Sequence, residues 1–300
     1  MRENIAEPIE QFEALDVVLE PLQKAVKTVV PERSALRDVL SGTWLGEPLH
    51  PPLTDVVIGT WTSALLLDLL GGEQTQKAAD GLVAAGVLAA VPTVTAGLSD
   101  WSILRPAGSR RVGGVHAFGN VTALVLHALS WAARRRGNRA PGVALSALGY
   151  AVATFSAYLG GHLSFSRGVG VNQTAFEDLP ERWTAVLDAD GLEEGKLTGA
   201  QADGVTVLLV RKQGRLYGLI DRCSHRGCPL HEGELKDDAV ICPCHGSTFR
   251  LDDGSIVKGP ATSPQPALQV HVESGKVEVR AAKSQGLTAR RNRRRAVTVS

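Results

Sequence analysis

Methionine, cysteine and aromatic residues are all scarce in this 300-residue chain, and neither sign of charge is in excess. A formal net charge of +1 removes the electrostatic footprint of a nucleic-acid-binding protein. The four cysteines all fall between positions 223 and 244, so no general disulfide framework is available and the thiols point to one site. The opening MRENIAEPIEQFEALD is acidic and has no apolar core, so a cleavable secretory signal is not expected. What is present is split in two. Residues 50–165 are rich in Ala, Leu, Val and Gly, whereas residues 180–280 carry mixed charge and the short alternating runs of a β domain.

Four apolar stretches, roughly residues 53–70, 79–99, 115–133 and 142–163, each have the length to cross a hydrocarbon layer of ~30 Å. Abundant Gly and Ala suit helices that approach closely in lipid, and Trp44, Trp101 and Trp131 lie near the ends, where indoles favour the interface. Asp55, Asp68 and Pro92 would fit a soluble bundle instead, but a soluble helix needs a polar outer face, and the second and fourth stretches have almost none. A transmembrane bundle is therefore expected. Four crossings put both termini on one side. Arg33, Arg37, Arg105, Arg110, Arg111 and Arg167 on that side nearly balance Lys77, Arg134, Arg135, Arg136 and Arg139 on the other. The basic tail tips the expected orientation toward a cytoplasmic C-terminal domain. Residues 1–47 form an amphipathic segment whose short helices are expected to break at Pro21 and Pro31. It either lies on the membrane surface or caps the bundle.

His50 opens the first crossing, His116 opens the third and His162 closes the fourth, so all three fall at one membrane face. His127 follows His116 by about 20° around the helix and ~16 Å along it, with Asn120 in the same stripe. Ionisable groups at membrane depth suggest function. His50, His116, His127 and His162 are thus candidate ligands of a b-type haem, and their spacing does not separate haem from a quinone pocket. Hydrogen bonds to backbone, Asp55 or water would also satisfy them. The run HPPLTDVVIGTWTSA, with GGHLSFSRGVGV after the fourth crossing, resembles an uncharacterised four-helix bacterial membrane family (domain of unknown function 2231) over residues 48–171. That resemblance implies a multi-pass protein of a bacterial-type cell membrane and no established activity.

After a linker at 172–181, VTVLLV (205–210) and LYGLI (216–220) flank a turn and read as a hairpin running into a cysteine. There follow Cys223-x-His225 and Cys242-x-x-His245, with sixteen residues between the halves. Two loops, each presenting one Cys and one His, supply two ligands per iron to a [2Fe–2S] centre of mixed ligation. Zinc also accepts Cys₂His₂, but zinc fingers pair Cys with Cys and His with His, the latter on a helix. Gly227 and Gly246 allow tight turns close to the metal site.

This stretch, residues 182–281, resembles the Rieske domain family. CSHRGC and CPCHGS are especially similar to the cytochrome bc and b6f type. The resemblance implies an all-β domain with a [2Fe–2S] cluster held by Cys223, His225, Cys242 and His245. It further implies a Cys228–Cys244 disulfide (the alternative being buried thiols), Ser247 as a donor to the cluster, and a third loop at Gly259-Pro260-Ala261 covering it. Phe249 replaces the usual tyrosine donor, which implies a lower potential. Arg226 replaces an apolar docking residue, which puts quinol docking in doubt. His231 is expected on a solvated loop and His271 on a strand surface.

A ring oxygenase of this family needs a further iron site with two histidines and a carboxylate. Beyond His245 only His271 remains, which excludes that class for this chain. The expected whole is a multi-domain α + β protein: four transmembrane helices, then the Rieske domain, then a basic tail at 282–300. Its expected role is a membrane-anchored one-electron carrier, an electron-transfer component rather than a self-contained enzyme. Expected partners are the lipid bilayer and a redox protein, a quinone or a haem, with no nucleic acid. Electrons would pass through the exposed edges of His225 and His245. A membrane redox or iron sensor, or a non-catalytic subunit of a larger oxidoreductase complex, is the alternative.

Overall fold

The computed structural model describes residues 5–175 and 177–282, and the chain divides near Gln173 into two compact units. The basic-tail reading therefore falls almost wholly outside the described residues.

The first unit begins with three short helices, α1 (Ala6–Gln11), α2 (Asp16–Val29) and α3 (Ala35–Leu40). Four long ones follow: α4 (His50–Leu70), α5 (Gln76–Ser102), α6 (Ala107–Arg135) and α7 (Arg139–Gly161). All four are long and apolar enough to cross a membrane. Their burial is inverted relative to a soluble bundle. Leu66, Leu70, Leu88, Phe118 and Leu148 face outward, while Ser130, Ser146, Ser156, His127 and Arg134 are buried between helices. Apolar side chains turned outward suit a hydrocarbon solvent. The helices run past the apolar stretches at their ends because an apolar run marks only the part within lipid. The first turns of α6, for example, carry Arg110 and Arg111, both of which pair with Asp16.

Residues 6–40 pack as a cap on the bundle. The Gln23 amide donates to the carbonyls of Trp101 and Leu104, satisfying the last turn of α5. The buried Arg37 guanidinium donates to the Val30 carbonyl, the Ser99 carbonyl (2.7 Å) and Ser102 Oγ (3.0 Å). The expected break at Pro21 does not occur. Pro21 lies inside α2 on its exposed face, where water can satisfy the carbonyl that loses its partner. Pro31 does follow the end of that helix. At the far end of the bundle, Arg134 and Asp68 are fully buried and paired at 2.5 Å, with Arg139 and Asp80 completing the network.

The second unit is all β. Strands β1 (Thr184–Asp188), β2 (Leu197–Ala202), β3 (Val205–Lys212), β4 (Arg215–Ile220), β9 (Ala267–Glu273) and β10 (Lys276–Ala281) form a sheet in the order β1-β10-β9-β4-β3-β2. The expected hairpin is β3–β4, antiparallel, with Val207 opposite Ile220. Its core joins Val205, Val207, Leu209, Ile220, Leu268, Val277 and Val279. Strands β5 (Glu234–Lys236), β6 (Ala239–Ile241), β7 (Thr248–Arg250) and β8 (Ile256–Lys258) make a second sheet in sequential order. Three loops therefore leave rigid strands: one after β4, one between β6 and β7, and one between β8 and β9.

Candidate metal centre

The first two loops are built alike. Cys223 N–H donates to the Cys228 carbonyl at 2.9 Å, and Cys242 N–H donates to the Ser247 carbonyl at 2.8 Å. Each closes a turn five residues on. The residue four after each cysteine is a glycine with positive φ, +74° at Gly227 and +76° at Gly246. An L side chain is strained in that region, so both turns depend on glycine. The histidines differ by one place, second after Cys223 and third after Cys242.

Two buried side chains hold the first loop. Gln265 donates to the carbonyls of Ile220 (2.5 Å) and Arg222 (2.7 Å) and accepts from Ser224 N–H (2.9 Å). Asp221 accepts from the backbone N–H of His231 and from its Nδ1, both at 2.7 Å. His231 is thus not simply solvated. It shields a carboxylate that burial would otherwise leave costly to keep charged. Sequence reasoning missed both anchors, since each lies outside the cysteine–histidine pattern; the Asp two residues before the first cysteine was the one available cue. His271 lies on β9 as expected, beside Trp183 with ring centres 3.8 Å apart.

Cys228 and Cys244 form the disulfide, while Cys223 and Cys242 remain buried thiols. The Cys242 thiol alongside, and then burial, push the Cys223 thiol well above its usual range. Two adjacent buried thiols ionise readily only beside a cation, which a pair of ferric ions supplies. With a histidine on each loop, this donor set fits a [2Fe–2S] cluster. His225 is half-buried and His245 is buried. Ser247 and Phe249 are fully buried, Arg226 is buried, and Pro260 follows a cis peptide in the third loop.

The four histidines of the helical unit do not form one site. His50 and His116 lie with ring centres 6.4 Å apart. His127 instead stacks on Trp61 at 3.7 Å, and His162 Nε2 binds Glu10 at 2.8 Å. Helix rotation, which a stripe argument on α6 alone cannot supply, separates them.

Four membrane-capable helices followed by a β domain with paired Cys/His loops and a bridging disulfide define a membrane protein with a ferredoxin-like, electron-transferring iron–sulfur domain. The chain belongs to the Rieske [2Fe-2S] domain family, which matches residues 182–274. A second family, described as a predicted membrane protein (DUF2231), matches residues 46–173. The chain is 40% identical over 72 residues to the 3-phenylpropionate/cinnamic acid dioxygenase ferredoxin subunit of Escherichia coli (strain K12), covering 24% of this chain and 68% of that one. It is 35% identical over 99 residues to apoptosis-inducing factor 3 of Homo sapiens, of which it spans only 16%. A solved ferredoxin of carbazole 1,9a-dioxygenase from Nocardioides aromaticivorans IC177 is 26% identical. The alignment covers 34% of this chain and all of that one, with a TM-score of 0.32.

Proposed function

We propose that this protein is a membrane-anchored one-electron carrier. In this reading Cys223 and Cys242 hold one iron of a [2Fe–2S] cluster, and His225 and His245 hold the other. The observation that carries it is the pair of adjacent buried thiols, outside the disulfide, on two matching loops that each bear a histidine. The cluster, when bound, supplies reversible one-electron chemistry at its histidine-ligated iron. The chain does the rest. The disulfide and Gln265 hold the loops, the closed turns exclude water from the thiolate side, and the half-exposed His225 edge is the port for electrons and for a proton at the ring nitrogen that does not hold iron.

A separate oxidoreductase component is the favoured exchange partner, as the dioxygenase ferredoxin relatives suggest. A quinol docking directly at the cluster is disfavoured by Arg226, a cation where an apolar contact is needed. The loop charges nearly balance, and the basic tail at 282–300 favours a cytoplasmic β domain. Electron paramagnetic resonance on dithionite-reduced membranes tests the assignment. The rhombic signal of mixed Cys/His ligation is expected in the native chain and absent from Cys223→Ser and His225→Ala. Stoichiometric zinc with no such signal overturns it.

A further inference from the structure

The helical unit contains a two-fold pattern that its sequence hides. A fixed separation of 66 residues relates three residue pairs of α4 and α6 that meet across the bundle. Asp68 and Arg134 form the buried ion pair, Trp61 and His127 stack, and His50 and His116 face each other. The partners on α5 and α7 correspond as well. The His50 ring places Nδ1 2.9 Å from the Thr93 carbonyl, and the His116 ring places Nδ1 2.7 Å from the Ser156 carbonyl. One turn beyond each carbonyl stands a glycine against the same edge of the ring. A Cβ on Gly97 would come within 2.8 Å of His50 Cε1, and one on Gly160 within 2.9 Å of His116 Cε1.

These contacts fix the chemistry. A ring nitrogen against a carbonyl must carry the proton, so in each neutral imidazole Nε2 holds the lone pair. Metal-ligating histidines typically donate their other N–H to a carbonyl in this way. Both rings line a cavity of ≈ 240 Å³ whose remaining walls include Val57, Ile58, Ala90 and Val94. We infer that this cavity is a haem site, with His50 and His116 as the two axial ligands. The inference goes beyond the electron-carrier reading and does not depend on it.

The spacing selects haem over other ligands. Two imidazoles on opposite sides of one iron, with metal–nitrogen distances of about 2.0 Å, place their ring centres about 6.3 Å apart; the observed separation is 6.4 Å. The rings are inclined at 85°, which is compatible with ligands turned about a shared axis. A quinol bracketed by the same imidazoles would need ring centres more than about 12 Å apart at ordinary hydrogen-bond lengths. A bare ion would need further ligands, yet no carboxylate or thiolate lines the cavity. A tetrapyrrole brings its own four equatorial nitrogens and an apolar rim that suits these walls. Asn120, one turn beyond His116, donates its amide to His116 Nε2 at 3.1 Å. It is a rotatable side chain that yields the lone pair to iron.

The test uses full-length protein in membranes from cells supplied with a haem precursor, assayed by pyridine haemochrome and by low-temperature electron paramagnetic resonance. The expected result is one low-spin b-type haem per chain. His50→Ala and His116→Ala should each lower haem content by about tenfold or more, while His162→Ala, whose ring lies outside the cavity, retains it. Unchanged helical circular dichroism of the same variants in detergent shows that their bundles have folded, and added imidazole should restore the low-spin spectrum to His116→Gly. Native protein without haem, haem content unchanged in both alanine variants, or stoichiometric quinone extracted in place of haem overturns the inference.

Discussion

Gln265 and Ser224 meet across 41 positions of sequence: the buried Gln265 Oε1 accepts from Ser224 N–H at 2.9 Å, while its amide holds two carbonyls on either side of Asp221. One side chain thus satisfies three backbone groups of the loop that carries Cys223 and His225. Leucine in its place keeps the volume and removes every bond. Each buried group left unpaired costs about 1–3 kcal/mol. Gln265→Leu should therefore lower the unfolding midpoint and release iron faster than the native chain under chelator challenge. An unchanged iron-release rate would mean that the loop is held by other contacts.

Phe249 is fully buried on β7, two residues past Ser247. In similar clusters a tyrosine here donates to a cysteine sulfur. Phe249→Tyr restores a hydroxyl that must find a partner when buried. A hydrogen bond stronger by about 1 kcal/mol in the reduced state raises a one-electron potential by about 45 mV. Redox titration of the cluster signal should show a rise of that order. A fall, or no change, would show that the ring faces away from the sulfur.

The Cys228–Cys244 bridge joins the two ligand loops covalently. Closing a chain loop of about 15 residues is worth roughly 3 kcal/mol. Cys228→Ala combined with Cys244→Ala should lower the thermal midpoint of the β unit and shorten the life of the bound cluster, and mild reductant should do the same to the native chain. Insensitivity to both treatments would assign the bridge no part in cluster retention.

Much of this was legible in the sequence, for physical reasons. The cluster loops repeat one local pattern, Cys followed four residues later by a glycine, and local turns leave a mark wherever the chain must reach positive φ. The apolar stretches reported the bundle because lipid demands outward apolar faces. Gln265 and Asp221 were not legible: their partners are backbone groups, which carry no residue identity. The two-fold pattern of the helices escaped notice for a related reason. Apart from His50 with His116, the paired positions share a place rather than a residue type, as Asp68 with Arg134 and Trp61 with His127 show, and only contact reveals the relation. The solvated reading of His231 was incomplete, because the buried carboxylate of Asp221 takes its ring nitrogen as a donor.

Asp16 couples the cap to pH. Hydrogen bonds from Arg111 and then Arg110 hold its carboxyl at about 2, below the ordinary 3.8. Burial pushes the Glu10 carboxyl up, but bonds from Arg167 and His162 outweigh that and leave it lowered too. A depressed folded-state value means a contribution that is whole above the unfolded-state value and lost as pH falls through the folded one. The hold of α1 and α2 on the bundle should therefore be constant above about pH 5 and weaken progressively toward pH 2. Hydrogen-exchange protection factors in α1 and α2, which remove the intrinsic pH dependence of exchange, should fall over that window in the native chain and be low throughout in Asp16→Asn. A fall in protection on raising the pH instead would contradict the sign.

The buried pair at the far end of the bundle admits a sharper test, because two kinds of substitution predict opposite outcomes. Asp68 Oδ2 and Arg134 Nη2 lie 2.5 Å apart with both side chains out of solvent, and Arg139 adds a second contact to Asp68 at 2.6 Å. Removing one partner strands the other charge in a low-dielectric interior, at a cost of about 3–5 kcal/mol. Removing both charges with apolar residues of similar size avoids that penalty and is often neutral. Asp68→Leu should sharply lower the thermal midpoint in detergent. Asp68→Leu combined with Arg134→Leu should recover part of the loss. Recovery should stop short of native, because Arg139 and Asp80 keep the charges that Asp68 and Arg134 had balanced. If the double variant is no more stable than the single one, the pair is not coupled across the bundle and the two-fold correspondence of α4 with α6 loses its outermost layer.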